Sequence, residues 1–181
     1  MGVALITNLD TANQPVPGGR HAVSIASFAR AANTASYSAN DVVSDSTSTA
    51  KAIQFPRTGR SGAVIRASMS YAGTDTNAFR LFLFDDEPTN IIDGGAFALV
   101  ATDMPKIVGV YDFVDADKHL VGSLLNYYIA SGSTTAANEV ALKTCYATAD
   151  SKLYGLLVAV TGFTTPVSGA KIVIRLELEY D

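Results

Sequence analysis

The sequence predicts an all-β fold, an antiparallel β-sandwich, from the two-residue period of its apolar side chains. The period is clearest over residues 170 to 180, where one side of an extended chain is apolar: Ile172, Ile174, Leu176, Leu178 and Tyr180. Clusters of Gly, Pro, Asp and Ser separate such segments, as turns separate the strands of a sandwich. No stretch of ten residues has the helical period that crossovers in a parallel α/β sheet require.

The C-terminal segment is the strongest predicted strand. Burial of its five alternate side chains contributes on the order of 10 kcal/mol before conformational entropy is subtracted, an upper bound that assumes an extended unfolded chain. The opposite side is charged and suits a solvated face, with Lys171, Arg175, Glu177 and Glu179. We therefore expect the chain to end inside a sheet.

About ten strands are predicted from such signals. In order they cover residues 23–28, 37–43, 51–55, 63–71, 78–84, 107–113, 124–129, 139–146, 153–160 and 170–180. In the fourth, alternation places one apolar set toward the core: Ala63, Ile65, Ala67, Met69 and Tyr71. The fifth is apolar on both sides apart from Arg80, which predicts a central strand whose back is covered.

Ten uneven strands with long connections favour a jelly roll, and an immunoglobulin-like sandwich is the alternative. The chain has no tryptophan, which weakens that alternative. Its 181 residues suit one domain. We expect residues 21–181 to form a single sandwich. Residues 13–19 combine two prolines and two glycines without a period, so we expect an extended N-terminal arm over residues 1–20.

The composition argues against several classes of partner. A net charge of −4 and a pI near 5.1 argue against nucleic-acid binding, which requires a basic surface. No stretch approaches eighteen consecutive apolar residues and the N-terminus lacks a signal-peptide pattern, so no membrane partner is expected. Only 17% of the residues are charged, below the roughly 25% typical of soluble domains. Such an uncharged surface is often buried against neighbours in an assembly.

No catalytic motif is present. The chain lacks the G-x-S-x-G, Walker and dinucleotide-binding patterns. Its single cysteine, Cys145, is predicted to lie in a strand as a small apolar side chain. Asp85, Asp86 and Glu87 follow a strong strand and are interpreted as a charged turn, with calcium binding or an acid and base pair as alternatives. We expect a protein without enzyme activity, catalytic residues or cofactor.

A second acidic group begins at Asp112 and continues into the following loop. Asp115 and Asp117 alternate and could present oxygen ligands on one side, but the glycine and distal glutamate of an EF-hand loop are missing. His119 has no second histidine or cysteine within zinc-ligand spacing. We predict no metal site here and keep a metal ion near Asp115 and Asp117 as the alternative.

Two groups of residues are candidate contacts with other proteins. The first is an apolar run in the arm, formed by Val3, Ala4, Leu5 and Ile6. An arm of about 20 residues spans at most roughly 65 Å, which is enough to reach an adjacent subunit. The second is the pair Tyr127 and Tyr128, whose side chains point to opposite faces of a strand. One of the two is expected at a surface, in an interface or, alternatively, in a glycan-binding platform.

Several segments resemble a group of tailed-bacteriophage virion proteins that are often encoded near the capsid genes. They are spread over residues 37 to 166: Tyr37 to Val43, Phe79 to Phe84, Pro88-Thr89, Asp93, Ala96-Phe97, Leu153 to Leu157 and Gly162 to Pro166. Each is a packing or turn element and none carries chemistry. Asn40 departs from that group, which tends to have glycine there.

This resemblance implies a capsid decoration or head-cement protein, a β-sandwich subunit that binds the major capsid protein and stabilises the head as a homotrimer. Such a protein is a structural component of the virion, lies on the capsid surface and is synthesised in the host cytoplasm. One alternative is a receptor- or glycan-binding module of a tail fibre or baseplate, which would usually carry repeats or a coiled-coil stem. The other is a cell-wall hydrolase acting through Asp85, Asp86 or Glu87.

Overall fold

Two antiparallel sheets pack against each other, which confirms the predicted all-β sandwich. The computed structural model describes residues 20–56, 61–73, 78–114, 118–121, 125–132, 144–164 and 166–180. The strands within these residues are numbered in chain order: β1 Arg20–Ala29, β2 Val42–Val43, β3 Ile53–Pro56, β4 Ser61–Tyr71, β5 Phe79–Phe84, β6 Ile107–Phe113, β7 Lys118–Leu120, β8 Asn126–Ile129, β9 Ser131–Gly132, β10 Thr144–Ala147, β11 Lys152–Ala159 and β12 Lys171–Tyr180.

Strands that are distant in the sequence are neighbours in each sheet. Sheet A has the order β1, β12, β4, β8 and β7, and β10 also pairs with β4. Sheet B has the order β2, β11, β5, β6 and β9, and β3 also pairs with β11. A 3-10 helix, Met104–Lys106, precedes β6. Within the described ranges, no helix has the length and apolar character needed to cross a membrane.

Strand β12 lies inside sheet A, between β1 and β4, so the described chain ends within a sheet, as the C-terminal alternation predicts. Its inward side chains, Ile172, Ile174, Leu176 and Leu178, are completely buried. They join apolar side chains from both sheets in one core. The strongest sequence signal therefore belongs to a strand with neighbours on both sides.

The predicted covering of β5 is also present. This strand lies between β11 and β6 and alternates buried with half-buried residues. On its outer side Phe82 stacks on Phe97, with ring centroids 4.4 Å apart. A second apolar cluster that includes Phe84 and Tyr154 surrounds this contact. The connection between β5 and β6 thus covers the back of sheet B.

The alternation predicted for β4 is wrong at Ile65. The pairing of β4 with β12 shifts register between Glu177 and Leu178, which lie opposite Arg66 and Val64, so one residue of β4 is extra. A bulge of this kind reverses the side-chain phase of the strand. Val64 is consequently in the core, whereas Ile65 is only half-buried.

The segment predicted as a strand at 37–43 is mostly a connection. Only Val42–Val43 form a regular strand, and Tyr37 makes an isolated bridge to Phe163. Asn40 has a φ of 68°, in the left-handed region that an extended strand does not use. Because Asn40 adopts this conformation, no regular strand runs unbroken from Tyr37 to Val43.

Strands β7 and β9 are not predicted by the sequence because three and two residues are too few for a period to be recognised. The strand predicted at 139–146 is described only from Thr144. The arm predicted at 1–20 is described only at Arg20, which already belongs to β1. The other residues of both predictions lie outside the described part of the chain.

Aromatic residues from three separate segments of the chain contact one another in the fold. Tyr37 stacks on Phe163 with ring centroids 4.6 Å apart, and Phe79 meets the same Phe163 edge to face at 6.1 Å. The Tyr37 hydroxyl also donates a hydrogen bond to Asp93. These residues hold connections against the sandwich, as packing elements do.

Candidate interaction surface

The side of sheet A that faces away from sheet B carries aliphatic and charged side chains together. In β1 the inward residues Ser24 and Ala26 are buried, whereas the outward Val23 and Ile25 are 42% and 51% exposed. The side chains on this side form what we call the outer face of sheet A: His21, Val23, Ile25, Ser27, Ala29, Arg66, Ser68, Ser70, Tyr127, Ile129, Lys171, Val173, Arg175, Glu177 and Glu179.

Charged residues of β12 lie directly beside the two exposed aliphatic ones. Arg175 is opposite Ile25 in the ladder, and Glu177 is opposite Val23. Glu177 Oε1 lies 3.7 Å from Arg175 Nε and 3.8 Å from Arg66 Nη1. Solvent-exposed ion pairs of this kind add little stability. The ion pairs nevertheless place a positive residue, Arg175, beside Ile25 and a negative residue, Glu177, beside Val23. Charged residues beside an aliphatic pair are typical of the rim of a protein interface.

The bulge in β4 shapes the part of this face nearest the end of the sheet. Ile65 joins Val23, Arg175 and Glu177 in lining an open depression of about 320 Å³. A regular β4 would place Ile65 in the core, so the sequence pattern gives no sign of this depression. It extends the aliphatic surface of Val23 toward the centre of sheet A.

The predicted tyrosine pair is divided between the core and the outer face. Tyr128 is completely buried and meets Phe79 edge to face at 6.2 Å, so it is not a surface residue of the folded chain. Tyr127 is half-buried and lies opposite Ser70 on one side and His119 on the other. Of the predicted pair, Tyr127 is the one on the outer face of sheet A. The predicted arm contacts, Val3, Ala4, Leu5 and Ile6, lie outside the described residues.

The acidic run after β5 is organised around one lysine. Lys106 Nζ donates to the Glu87 carbonyl oxygen at 2.6 Å and lies 3.4 Å from Asp86 Oδ2 and 3.5 Å from Asp103 Oδ1. Burial raises the pKa of Asp85. Although burial opposes it, hydrogen bonds from Thr89 and the charge of Lys106 lower the pKa of Asp103. These contacts agree with the predicted charged turn.

The second acidic group is only partly described. Asp112 lies within β6 and forms a two-pronged ion pair with Arg80, at 2.6 and 3.0 Å. His119 is exposed on β7, and Asp115 and Asp117 lie outside the described residues. Among the residues whose positions are described, no three His, Cys, Asp or Glu side chains are placed to hold a metal ion.

A buried ionic network was not predicted from the sequence. Arg30 and Asp93 are 2% and 7% exposed, and Arg30 Nη1 lies 3.7 Å from Asp93 Oδ2. Tyr37 Oη donates to Asp93 Oδ1 at 2.6 Å, and the Ser44 backbone N–H donates to the same oxygen at 2.9 Å. Arg30 in turn donates to Tyr37 Oη at 2.9 Å. Burial, followed by the hydrogen bond to Asp93, raises the pKa of Tyr37, which keeps its hydroxyl protonated.

The remaining N–H groups of Arg30 bind connections on both sides of it. Its guanidinium donates to the carbonyl oxygen of Asn33 and, at 3.3 Å, to that of Val167. Buried charges persist only when they are paired and hydrogen-bonded in this way. A signal exists in the sequence: Arg30 continues the inward phase of Ser24 and Ala26, where an apolar residue is expected. The network therefore joins the connecting segments that contain Asn33, Asp93 and Val167. It presents no reactive group to solvent.

No family model matches the chain, and no curated protein is significantly similar to it. The outer face of sheet A is therefore the structural observation on which a proposal of function rests.

Proposed function

We propose that this chain is a non-enzymatic structural protein of a phage virion. It binds the major capsid protein on the outside of the capsid, joins neighbouring capsomers as a homotrimer and so stabilises the head. The resemblance of residues 37 to 166 supports this class of protein. The subunit acts by burying surface against neighbouring subunits. Each partner that binds only the folded protein also stabilises the folded state.

The observation that carries the proposal is the outer face of sheet A. Interfaces combine an aliphatic or aromatic centre with a charged rim. Val23 and Ile25 are such a centre, with Arg175 and Glu177 beside them. The face is built on a sheet whose other side is fully packed, so it is rigid before a partner binds, and little conformational entropy is lost on binding.

We also infer a jelly roll from the strand order. When the additional strands β2, β7, β9 and β10 are set aside, sheet A reads β1, β12, β4 and β8, and sheet B reads β3, β11, β5 and β6. Successive strands alternate between the sheets except at the β5 to β6 hairpin. Two Greek keys wound together have this order, whereas an immunoglobulin-like sandwich joins more neighbours within each sheet.

Binding to capsids that lack this subunit tests the proposal, with Arg175→Glu as the variant. Arg175 is 48% exposed in its side chain at the middle of the outer face, and the reversed charge adds repulsion beside Glu177. We expect at least a tenfold loss of affinity in co-sedimentation. Lys152→Glu is the matched control, because it makes the same charge change at a side chain 43% exposed in sheet B. Equal binding by the wild type and both variants would contradict the proposal.

Removal of residues 1–19 tests the predicted arm separately. We expect the shortened chain to keep its circular dichroism spectrum and melting temperature, since β1 begins at Arg20. Capsid binding or trimer formation should weaken, because the apolar run at residues 3–6 is lost. Undiminished capsid binding by the shortened chain would show that the outer face acts without the arm.

One observation favours the alternative of a glycan-binding module. Tyr127 presents a partly exposed ring on the outer face of sheet A, beside the exposed His119. Aromatic rings at a surface are the usual platforms for sugars. A glycan array probed with the wild type and with Tyr127→Ala separates the two functions. Selective glycan binding that disappears in the variant would favour the tail-fibre or baseplate module.

A further inference from the structure

Among the described residues, strand β1 lies at one edge of sheet A. It is the outermost strand of sheet A and pairs with β12 along all ten of its residues. Within the described ranges, β12 is the one strand with which the backbone of residues 20–29 pairs. Strand β1 also lies close to β3 of sheet B, and Ser24 Oγ donates a hydrogen bond to the Pro56 carbonyl oxygen at 2.5 Å. The strand contains no proline, glycine or lysine, the residues that commonly block pairing at a sheet edge.

From this edge we infer that β1 pairs antiparallel with β1 of a second copy, about a two-fold axis at Ser24. The pairing joins the two A sheets into one continuous sheet. Val23 then lies opposite the partner's Ile25, and Ile25 opposite the partner's Val23. A two-fold axis repeats each contact, so the same strand of each copy can supply both sides of the interface.

The alternation of side chains along the strand favours this register. Outward residues lie opposite outward residues only when the two residue numbers of each pair have an even sum, since side chains alternate between faces. With the axis at Ser24, the small residues Ala22 and Ala26 meet on the inner side, and Val23 and Ile25 form two aliphatic pairs on the outer side. With the axis at Ile25, Val23 would lie opposite Ser27, and a single aliphatic pair would form. The first register therefore has the better apolar pairs.

The neighbouring strands complete the interface with opposite charges. Because Arg175 is beside Ile25 and Glu177 is beside Val23, each row across the joined sheet reads Arg175, Ile25, the partner's Val23 and the partner's Glu177. Four aliphatic side chains form the centre, and each row ends in one positive and one negative residue. That arrangement is the apolar centre and polar rim of a specific contact.

The contact is small and goes beyond the proposed function. One strand edge buries less than the roughly 1,200 Å² of a stable interface, so we expect dissociation at micromolar concentrations. A two-fold contact cannot build a trimer, but it can join two trimers. It is a property of the chain itself, and its test requires no capsid.

Sedimentation equilibrium of the full chain over about 1 to 200 µM tests the association. The expected result is that the mass of the smallest species doubles as concentration rises. Ile25→Lys should weaken this doubling at least tenfold, because it places a charge at the centre of the contact. Val100→Lys is the control, since Val100 is 45% exposed and lies outside sheet A. A wild type that never doubles, or an Ile25→Lys variant that doubles like the control, would overturn the inference.

A cross-linking experiment tests the register. In a background with Cys145→Ala, which removes the only cysteine, we compare Val23→Cys alone, Ile25→Cys alone and an equal mixture of the two. Directly opposite Cβ atoms are about 5 Å apart, and diagonal ones about 7 to 8 Å. A short bifunctional thiol reagent should therefore link the mixture at least fivefold faster than either variant alone. Fastest linkage in Ile25→Cys alone would place the axis elsewhere and contradict this pairing.

Discussion

At the scale of single residues, the buried pair of Arg30 and Asp93 is the most sensitive point of the molecule. Asp93 neutralises Arg30 and accepts hydrogen bonds from Tyr37 and Ser44, so its carboxylate satisfies three groups at once. A buried charge that loses its partner costs several kcal/mol, whereas an exposed pair contributes little. The two kinds of ion pair in this chain should therefore respond very differently to mutation.

Asp93→Ala should lower the free energy of unfolding by about 3 to 5 kcal/mol, because Arg30 is left buried without a counter-ion. Urea unfolding followed by circular dichroism measures the loss. Asp86→Ala is the control, since that carboxylate is 72% exposed beside Lys106 and its removal should cost less than about 0.5 kcal/mol. Similar losses in both variants would mean that the network does not stabilise the fold.

Tyr154 gives the fold a dependence on alkaline pH. Its hydroxyl donates to Asp150 Oδ2 at 2.8 Å, and this hydrogen bond and burial raise the pKa of Tyr154 to about 12. An unfolded tyrosine titrates near pH 10. The folded state thus holds the proton more tightly, so this contribution to stability is complete below about pH 10 and is lost as the pH rises toward 12.

Tyr154→Phe should flatten the alkaline limb of the stability curve. The variant loses one hydrogen bond, about 1 kcal/mol at neutral pH, but it no longer has the group that titrates. Melting temperatures at about pH 7, 9, 10 and 11 should converge for the variant and the wild type. A constant difference in melting temperature between the wild type and the variant from neutral to alkaline pH would contradict the proposed role of Tyr154.

At the scale of elements, regular strands were predictable and irregular ones were not. Strand β12 was predicted because its two faces differ in polarity over ten residues, and β5 because both of its faces are apolar. The bulge at Ile65 depends on a pairing with β12, more than 100 residues away in the sequence, so alternation alone gave the wrong phase. One tyrosine of the pair was expected at a surface, and Tyr127 lies on the outer face of sheet A. The alternation of β1 marks Arg30 as an inward residue, but its partner Asp93 is distant in the sequence and no local pattern identifies it.

Gly155 tests how closely β11 packs between its neighbours. It lies opposite Ile53 of β3 and Leu83 of β5, and a Cβ atom there would stand 2.9 Å from Leu81 Cδ1 and 3.0 Å from Phe55 Cε2. Gly155→Ala should therefore lower the free energy of unfolding by about 1 to 3 kcal/mol through overpacking.

Chemical denaturation measures this loss, and Ala147→Val is the control because it adds volume at an exposed strand position. The control should change stability by less than about 0.5 kcal/mol. If Gly155→Ala is neutral or stabilising, the core beside β11 can accommodate the added methyl group without overpacking.

At the scale of the whole molecule, the first and last described strands are neighbours in sheet A. The last strand, β12, lies between β1 and β4 and forms the longest ladders in the described residues. Sheet A therefore cannot be completed until the C-terminal residues are present. Long-range pairing of this kind makes folding slow. The outer face of sheet A therefore depends on the presence of both β1 and β12.

Deletion of residues 171–181 should consequently abolish folding, in contrast to deletion of residues 1–19. Without β12, the outward pair Val23 and Ile25 has no neighbouring strand, and the inward faces of β1 and β4 lose the four aliphatic side chains between them. We expect the C-terminal deletion to lose its cooperative thermal transition and to be digested by protease at least a hundredfold faster than the full chain. The N-terminal deletion serves as the control, and its sandwich should be digested at the same rate as that of the full chain. A cooperative transition in the C-terminal deletion would mean that β1 and β4 can pair without β12, and the outer face of sheet A would then be a weaker basis for assembly than its position in the ladder indicates.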